Sequence, residues 1–516
     1  MFKNLFLPVI IFFIAVSASA QGVTDSIVRF SDLKFSSGYE REAFTVFLNH
    51  KGNPFDLFLS IDDKITKQDA DSAFRKYRAI IEILNQKNVR NLKMDKKIKV
   101  TYTTVHSLLT KYDVTVTFPE IFRTGQYNCL TASILFASVF DEEGIPYKIM
   151  ASSNHVYLVA NPGSKSTVIE TTNPGFEKQI LTGEFKQDYV NYLRSSKLIS
   201  EDEARNKSVE ELFEEKFNEV HEISFSNLPG MQYFNLSVKM FNEHKIENAL
   251  QSAQKAYFFS PDESARTILY ALLLLEIEKC DFSNVSDIDY LAQLSRINDV
   301  NSPSVKNLFI HILGYYLQYN DKEEYCNSLY NRLISEIDDN KLKEEISFYF
   351  YLQMSSRYIN DLDKAEYYIN KTLSLRSNFE EANILMEVFI NKKFQAIHNS
   401  RVLLDSVKCY QARNHFECAQ PMLKRFRSLA DLKIARDLYD EGKISEGDVY
   451  INDFETINNA PVKDEFLQFY IENAYRSAAT YQFFTKKNKT KAKEYLDHGL
   501  AMIPGSIALE SCYNWK

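Results

Sequence analysis

"GQYNCLTASILFASVFDEEGIP", residues 125–146, decides how the first half of the chain is read. Ile134, Leu135, Phe136, Val139 and Phe140 make the run apolar nearly all round, as a helix enclosed by protein would be. Asn128 is a favoured N-cap type, which places Cys129 at the first helical position, and Gly144 and Pro146 end the helix. A thiol at that position meets unpaired N–H groups and the positive end of the helix dipole. Both favour thiolate over thiol. The same N–H groups can stabilise an oxyanion on an attacked carbonyl. The stretch predicts a nucleophile activated by its place on a buried helix.

A nucleophilic cysteine needs a base, and the base needs an orienting group. Residues 145–150, 155–160 and 167–172 are short, turn-bounded and rich in β-branched and aromatic types, and they predict strands. His155 opens the second of these and Glu170 lies on the third. If 161–164 ("NPGS") is a four-residue loop, Ala160 faces Lys165 and His155 faces Glu170, their Cβ atoms about 5 Å apart on one face. A slip of one hairpin step turns the pair diagonal on the same face. The carboxylate then holds one imidazole nitrogen and leaves the other for Cys129. Each residue alone has an ordinary explanation: a buried small hydrophobe, a structural histidine, a solvated glutamate. The three together point to a catalytic triad. Zinc is the weaker reading of the same residues, because the chain has no CxxC or HxxxH pair there. No metal and no cofactor are expected. Gln126 could donate to an oxyanion or be an ordinary loop residue.

Helices precede this core. Residues 66–84 place Phe74, Tyr77, Ile81 and Leu84 at helical spacing, and 98–112 read as a second helix. Helices followed by strands without a βαβ rhythm indicate an α+β domain. The order Cys, His, acid on helix, strand, strand, within "YNCLTASILFASVFDEEGIPYKIM", "NHVYLVAN" and "VIETTNP", resembles the core of the transglutaminase-like superfamily, relatives of papain-type thiol enzymes. The resemblance covers about residues 95–180. It implies Cys129 as nucleophile, His155 as general base and acid, and Glu170 as orienting carboxylate. Two positions depart from the family: Glu170 stands where Asp is usual, and Tyr157 where Trp often follows the histidine by two.

The rest of the chain has a different texture. In 516 residues, 45% apolar and 25% charged, glycines and prolines are few and scattered, which favours helix and more than one domain. Past about residue 225 no strand pattern remains. Residues 233–261 place Tyr233, Leu236, Ala249, Ala256 and Pro261 in a frame of ~34 residues. Tyr349, Leu352 and Ala365 repeat it, as do Ala479, Ala492 and Pro504. This region resembles a tetratricopeptide-type helical solenoid, and the resemblance implies a protein or peptide ligand on its concave face.

Residues 1–20 read as a signal peptide: Lys3, an apolar run from Leu5 to Val16, and Ala18-Ser19-Ala20 as a small-x-small cleavage site. The expected domains are that signal (1–20), a transglutaminase-like domain at 21–205 and helical repeats at 225–516. Loss of Lys3 takes the formal charge of −8 to about −9, which disfavours nucleic acid, and no later run is long and apolar enough to span a membrane. Six cysteines in an exported chain permit disulfides, Cys409–Cys418 among them, without specifying any. The expectation is an exported (periplasmic or secreted) cysteine enzyme performing acyl transfer on amides, as hydrolase or transamidase. The alternative is an inactive transglutaminase-like fold serving as a repeat-protein scaffold. Oligomeric state is not indicated.

Overall fold

The computed structural model describes residues 27–49, 55–62, 64–152, 155–163, 165–171, 187, 190, 200–212, 220–297, 302–319 and 322–515. The expected signal, residues 1–20, and Thr172 at the end of the third expected strand lie outside the described residues. The chain divides into two compact units, 1–301 and 302–516. The protein is mostly helical, with a small sheet in the first unit and a repeat-like helical region at its C-terminal end.

The first unit begins with helices α1 (Gly38–Leu48), α2 (Phe55–Ser60), α3 (Lys67–Gln86) and α4 (Met94–His106). Thr66 starts α3 with a capping box: its hydroxyl accepts from Asp69 N (3.2 Å), and the Asp69 carboxylate accepts from Thr66 N (3.0 Å). Tyr77, Ile81 and Leu84 face the core as the spacing predicts, while Phe74 is half-buried. The second expected helix, 98–112, is shorter at its C-terminal end. It stops at His106, and residues 111–112 form strand β1 (Lys111–Tyr112).

After α5 (Pro119–Arg123), β1 pairs in parallel with β2 (Gln126–Tyr127). Gly125 makes this approach possible. Its φ is +77°, and a Cβ there would sit 2.4 Å from Thr110 Oγ1. Then comes α6 (Cys129–Glu143), the helix of the opening stretch. Four antiparallel strands follow: β3 (Tyr147–Ala151), β4 (Val156–Ala160), β5 (Thr167–Ile169) and β6 (His221–Ile223), in spatial order β5-β4-β3-β6. The sequence reading contains neither β6 nor the short β1–β2 pair.

The β4–β5 register corrects the four-residue loop. Ala160 pairs with Thr167 instead of Lys165, so the loop spans 161–166. Asn161 turns the chain with φ +50°, and Ser166 N donates to Gly163 O (3.3 Å), so the turn takes up two more residues before β5 begins to pair. His155 and Glu170 are therefore diagonal neighbours instead of a direct pair.

The helices Leu228–Asn242, Ile246–Phe259, Glu263–Lys279 and Asp289–Ile297 share the first unit's core. A buried ion pair joins them to the N-terminal segment: Lys255 Nζ lies 2.7 Å from Glu40 Oε1, and Tyr233 OH donates to the same oxygen (2.8 Å). Glu40 Oε2 accepts from Ser36 N and Oγ, so the buried carboxylate is fully engaged.

The second unit is a series of helices that follow two by two: Ser302–Tyr316 and Glu323–Glu336, Asn340–Arg357 and Leu362–Leu375, Glu380–Gln395 and Ser400–Arg413, Gln420–Asp440 and Ile444–Ile457, and Glu465–Thr480 and Lys489–Met502, with close backbone packing inside the second, fourth and fifth of these pairs. The first helix of each pair touches the first helix of the next. The fourth residue of each second helix is buried and, with one exception, small: Ala249 and Ala292 in the first unit, then Cys326, Ala365, Leu403, Gly447 and Ala492. Close crossing of paired helices requires little side-chain bulk at that point. At Gly447 the requirement is strictest, because an added Cβ would lie 2.5 Å from Tyr439 Cε1, whose ring is fully buried. All six cysteines are free thiols, and Cys409 and Cys418 are not paired.

Two outcomes are expected from this packing. Gly447→Ala should lower unfolding stability by about 1–3 kcal/mol in urea titrations, the usual cost of overpacking. Asp431 is fully buried, neither carboxylate oxygen has a hydrogen-bond partner, and Arg427 Nε stands 4.0 Å away. Burial raises its carboxyl to about 7 despite Lys408 and Arg427. The unfolded chain releases this proton near pH 4, before the folded chain does, so stability should fall as pH rises toward 7 and then level off. Asp431→Asn should flatten that part of the melting temperature–pH curve. An unchanged slope would show that Asp431 does not titrate in this window.

Candidate active site

Three elements build the site. Asn128 caps α6: its Oδ1 accepts from Thr131 N, and its own N–H donates to Thr131 Oγ1, both at 2.9 Å. Its Nδ2 donates to Val116 O (3.0 Å) and Val114 O (3.3 Å), tying the preceding loop to the helix start. Cys129 occupies the first position of α6 and is half-buried. Ser133, one turn on, donates through Oγ to Val156 O (3.1 Å) and docks α6 on β4 beside His155. His155, directly before β4, is 1% exposed. Glu170, directly after β5, is half-buried.

Cys129, His155 and Glu170 are brought together. His155 Nε2 lies 2.8 Å from Glu170 Oε2, and the Cys129 thiol and the imidazole are close enough for each to shift the other's ionisation. Tyr157 stacks on the imidazole at 5.8 Å and 25°. Gln126 is half-buried on β2, two residues before the helix cap. Its side-chain oxygen accepts from Thr124 Oγ1 (3.4 Å), and its amide nitrogen donates to no other described residue.

The electrostatics favour an ion pair. Burial opposes ionisation of Cys129 and is the largest influence. The hydrogen bond to His155, the charge of His155 and the Val156 N–H outweigh it and lower the thiol pKa. Burial likewise opposes charge on His155, but the Glu170 carboxylate and the bonds to Cys129 and Glu170 raise it to about 10. Thiol lowered and imidazole raised describe one coupled equilibrium, in which a proton sits on the ring between two anions.

Several neighbours escaped the sequence reading. Tyr102 on α4 donates to Glu170 O (3.3 Å), and Thr171 Oγ1 donates to Cys129 O (3.4 Å). Thr171 adjoins Glu170 in sequence, the one signal that marks it. Tyr102 lies far off in sequence and carries no motif. Among the described residues one group is close enough to share a metal ion: Cys280, Asp281 and Asp287, whose ligand atoms lie within 4.8 Å of one another. Its carboxylates already serve the loop, accepting from Ser283 N (2.9 Å) and Asn284 N (3.0 Å). Burial raises the Cys280 thiol to about 11, disfavouring the thiolate a metal would need. No protein-family model matches the chain, and no curated protein matches its sequence.

Alkylation of Cys129 followed by mass spectrometry should show an apparent pKa well below the unperturbed ~8.5. His155→Ala should return it toward or above that value. Glu170→Gln should raise it less, because the ring stays in place while losing its anionic partner. A Cys129 reactivity profile indifferent to His155 would remove the ion pair from consideration.

Proposed function

We propose that this is an exported, transglutaminase-like cysteine enzyme that transfers acyl groups from amides, with a tetratricopeptide-type helical region that recruits a protein or peptide substrate. The observation that carries the reading is the convergence of Cys129, His155 and Glu170, with His155 Nε2 2.8 Å from Glu170 Oε2, at the start of a capped, buried helix. Export rests on the sequence pattern of residues 1–20 alone.

In this reading the Cys129 thiolate attacks the amide carbonyl, and a C–S bond forms. The oxyanion meets the main-chain N–H of Cys129, which has no partner within the helix, and the amide of Gln126. His155, protonated on the face toward Cys129, gives its proton to the leaving nitrogen. The C–N bond breaks and a thioester remains. Water, deprotonated by His155, hydrolyses the thioester. A second amine in place of water completes a transamidation instead. Glu170 fixes the ring through Nε2 and offsets the charge His155 carries between the steps. Its side chain is one methylene longer than the family's usual Asp, and the diagonal placement across β4 and β5 accommodates that extra length.

A second reading, an inactive fold serving as a scaffold, is favoured by one observation. Two hollows among the described residues lie away from Cys129: about 540 Å³ beside Phe30, Lys34 and Arg41, and about 680 Å³ beside Gln411, Lys424 and Arg427.

Incubation of the purified chain with a pool of peptide amides separates the two. An enzyme should give a thioester adduct on Cys129, trappable at low pH, and amine release at least 100-fold above Cys129→Ala. Absence of both, with Cys129 still alkylating rapidly, would favour the scaffold.

A further inference from the structure

We propose that Tyr102 is a positioning residue that holds Glu170 against His155, with Thr171 as the second point of the same clamp. This inference rests on the acyl-transfer reading above. The sheet does not fix Glu170. The β4–β5 ladder ends at Leu158↔Ile169, and Glu170 is the first residue beyond it. A carboxylate at a strand end would be free to turn away from a diagonal neighbour.

Two hydrogen bonds restrain that stretch. Tyr102 OH donates to Glu170 O (3.3 Å), and Thr171 Oγ1 donates to Cys129 O (3.4 Å). They bind consecutive residues to two different helices, α4 and α6. Tyr102 is itself held: it is 3% exposed, and its ring stacks on Phe136 of α6 at 5.3 Å and 22°. Phe136 lies two turns from Cys129 on the same helix. The acid is thus referenced to the helix that carries the thiol. Burial first, then the charge of Glu170, raises the Tyr102 phenol, so it remains a donor across the whole range in which the thiol titrates. Thr171 is fully buried, and its hydroxyl finds its acceptor in the helix's first turn.

The test is the pH profile of Cys129 alkylation in the full chain, for wild type, Tyr102→Phe, Thr171→Val and His155→Ala. Tyr102→Phe keeps the stacked ring and removes only the hydroxyl. It should raise the apparent pKa of Cys129 by about half to one unit, slowing alkylation at pH 6 about 3- to 10-fold, and leave the plateau above pH 10 unchanged. Thr171→Val should shift the profile in the same direction. Placed on Glu170→Gln, Tyr102→Phe should have no further effect, since it acts through the carboxylate. A Tyr102→Phe profile superimposed on wild type, or a shift that persists on Glu170→Gln, overturns the proposal while leaving the thiol–imidazole pair intact. Indifference of Cys129 to His155→Ala instead removes the acyl-transfer reading, and the clamp's role falls with it.

Discussion

A helix that is apolar on every side is stable only where protein surrounds it on every side, and α6 imposes that condition on the first unit. Eleven of its fifteen residues are buried. Tyr77 of α3 reaches Ser138 O, Tyr102 of α4 stacks on Phe136, and Ser133 hydrogen-bonds to β4. The helix Leu228–Asn242 closes another side. With so many contacts α6 has no freedom to rotate or slide, so the position of Cys129 at its first turn is determined by the whole core. Precision of that kind is what a reacting group needs, and a loop would not supply it.

The site places three ionisable groups in a region largely withdrawn from water, which is costly unless every charge is compensated. Here the compensation is sequential. The Val156 N–H and the imidazole stabilise the thiolate, the thiolate and Glu170 stabilise the imidazolium, and Glu170 retains partial exposure. Burial is the largest single influence on both Cys129 and His155, and in both it opposes charge. The specific contacts win only because all of them act together. Away from the site, Glu40 shows full engagement of a buried carboxylate, while Asp431 shows the opposite case, a buried carboxyl that stays protonated toward neutral pH for want of donors.

In the helical region a single rule explains both why the repeats were partly legible and why they were not wholly so. The frame built on Ala249, Ala365 and Ala492 is present as a buried fourth residue in each second helix. What the crossing demands is small bulk, which a residue such as Gly447 also provides. A pattern keyed to alanine passes over Gly447 and Cys326, and Leu403 breaks even the looser rule.

Local chemistry was readable from residue order. Asn128 as a cap, Cys129 as the first residue of a buried helix, the strands around His155 and Glu170, and the helix from Lys67 each follow from propensities and spacings within a few residues. Register was not readable, because the β4–β5 loop length depends on how the turn from Asn161 closes, with Ser166 N bonding to Gly163 O. Strand β6 was not readable either: three residues, two of them exposed, carry no periodic signal until β3 offers them an edge. Nor was Tyr102, whose role exists only where α4 crosses α6. The sequence by itself determined the helix that begins at Cys129 and the strands that flank His155 and Glu170. The tertiary structure decided their distances, since those are set by side chains far apart in the chain filling one common volume.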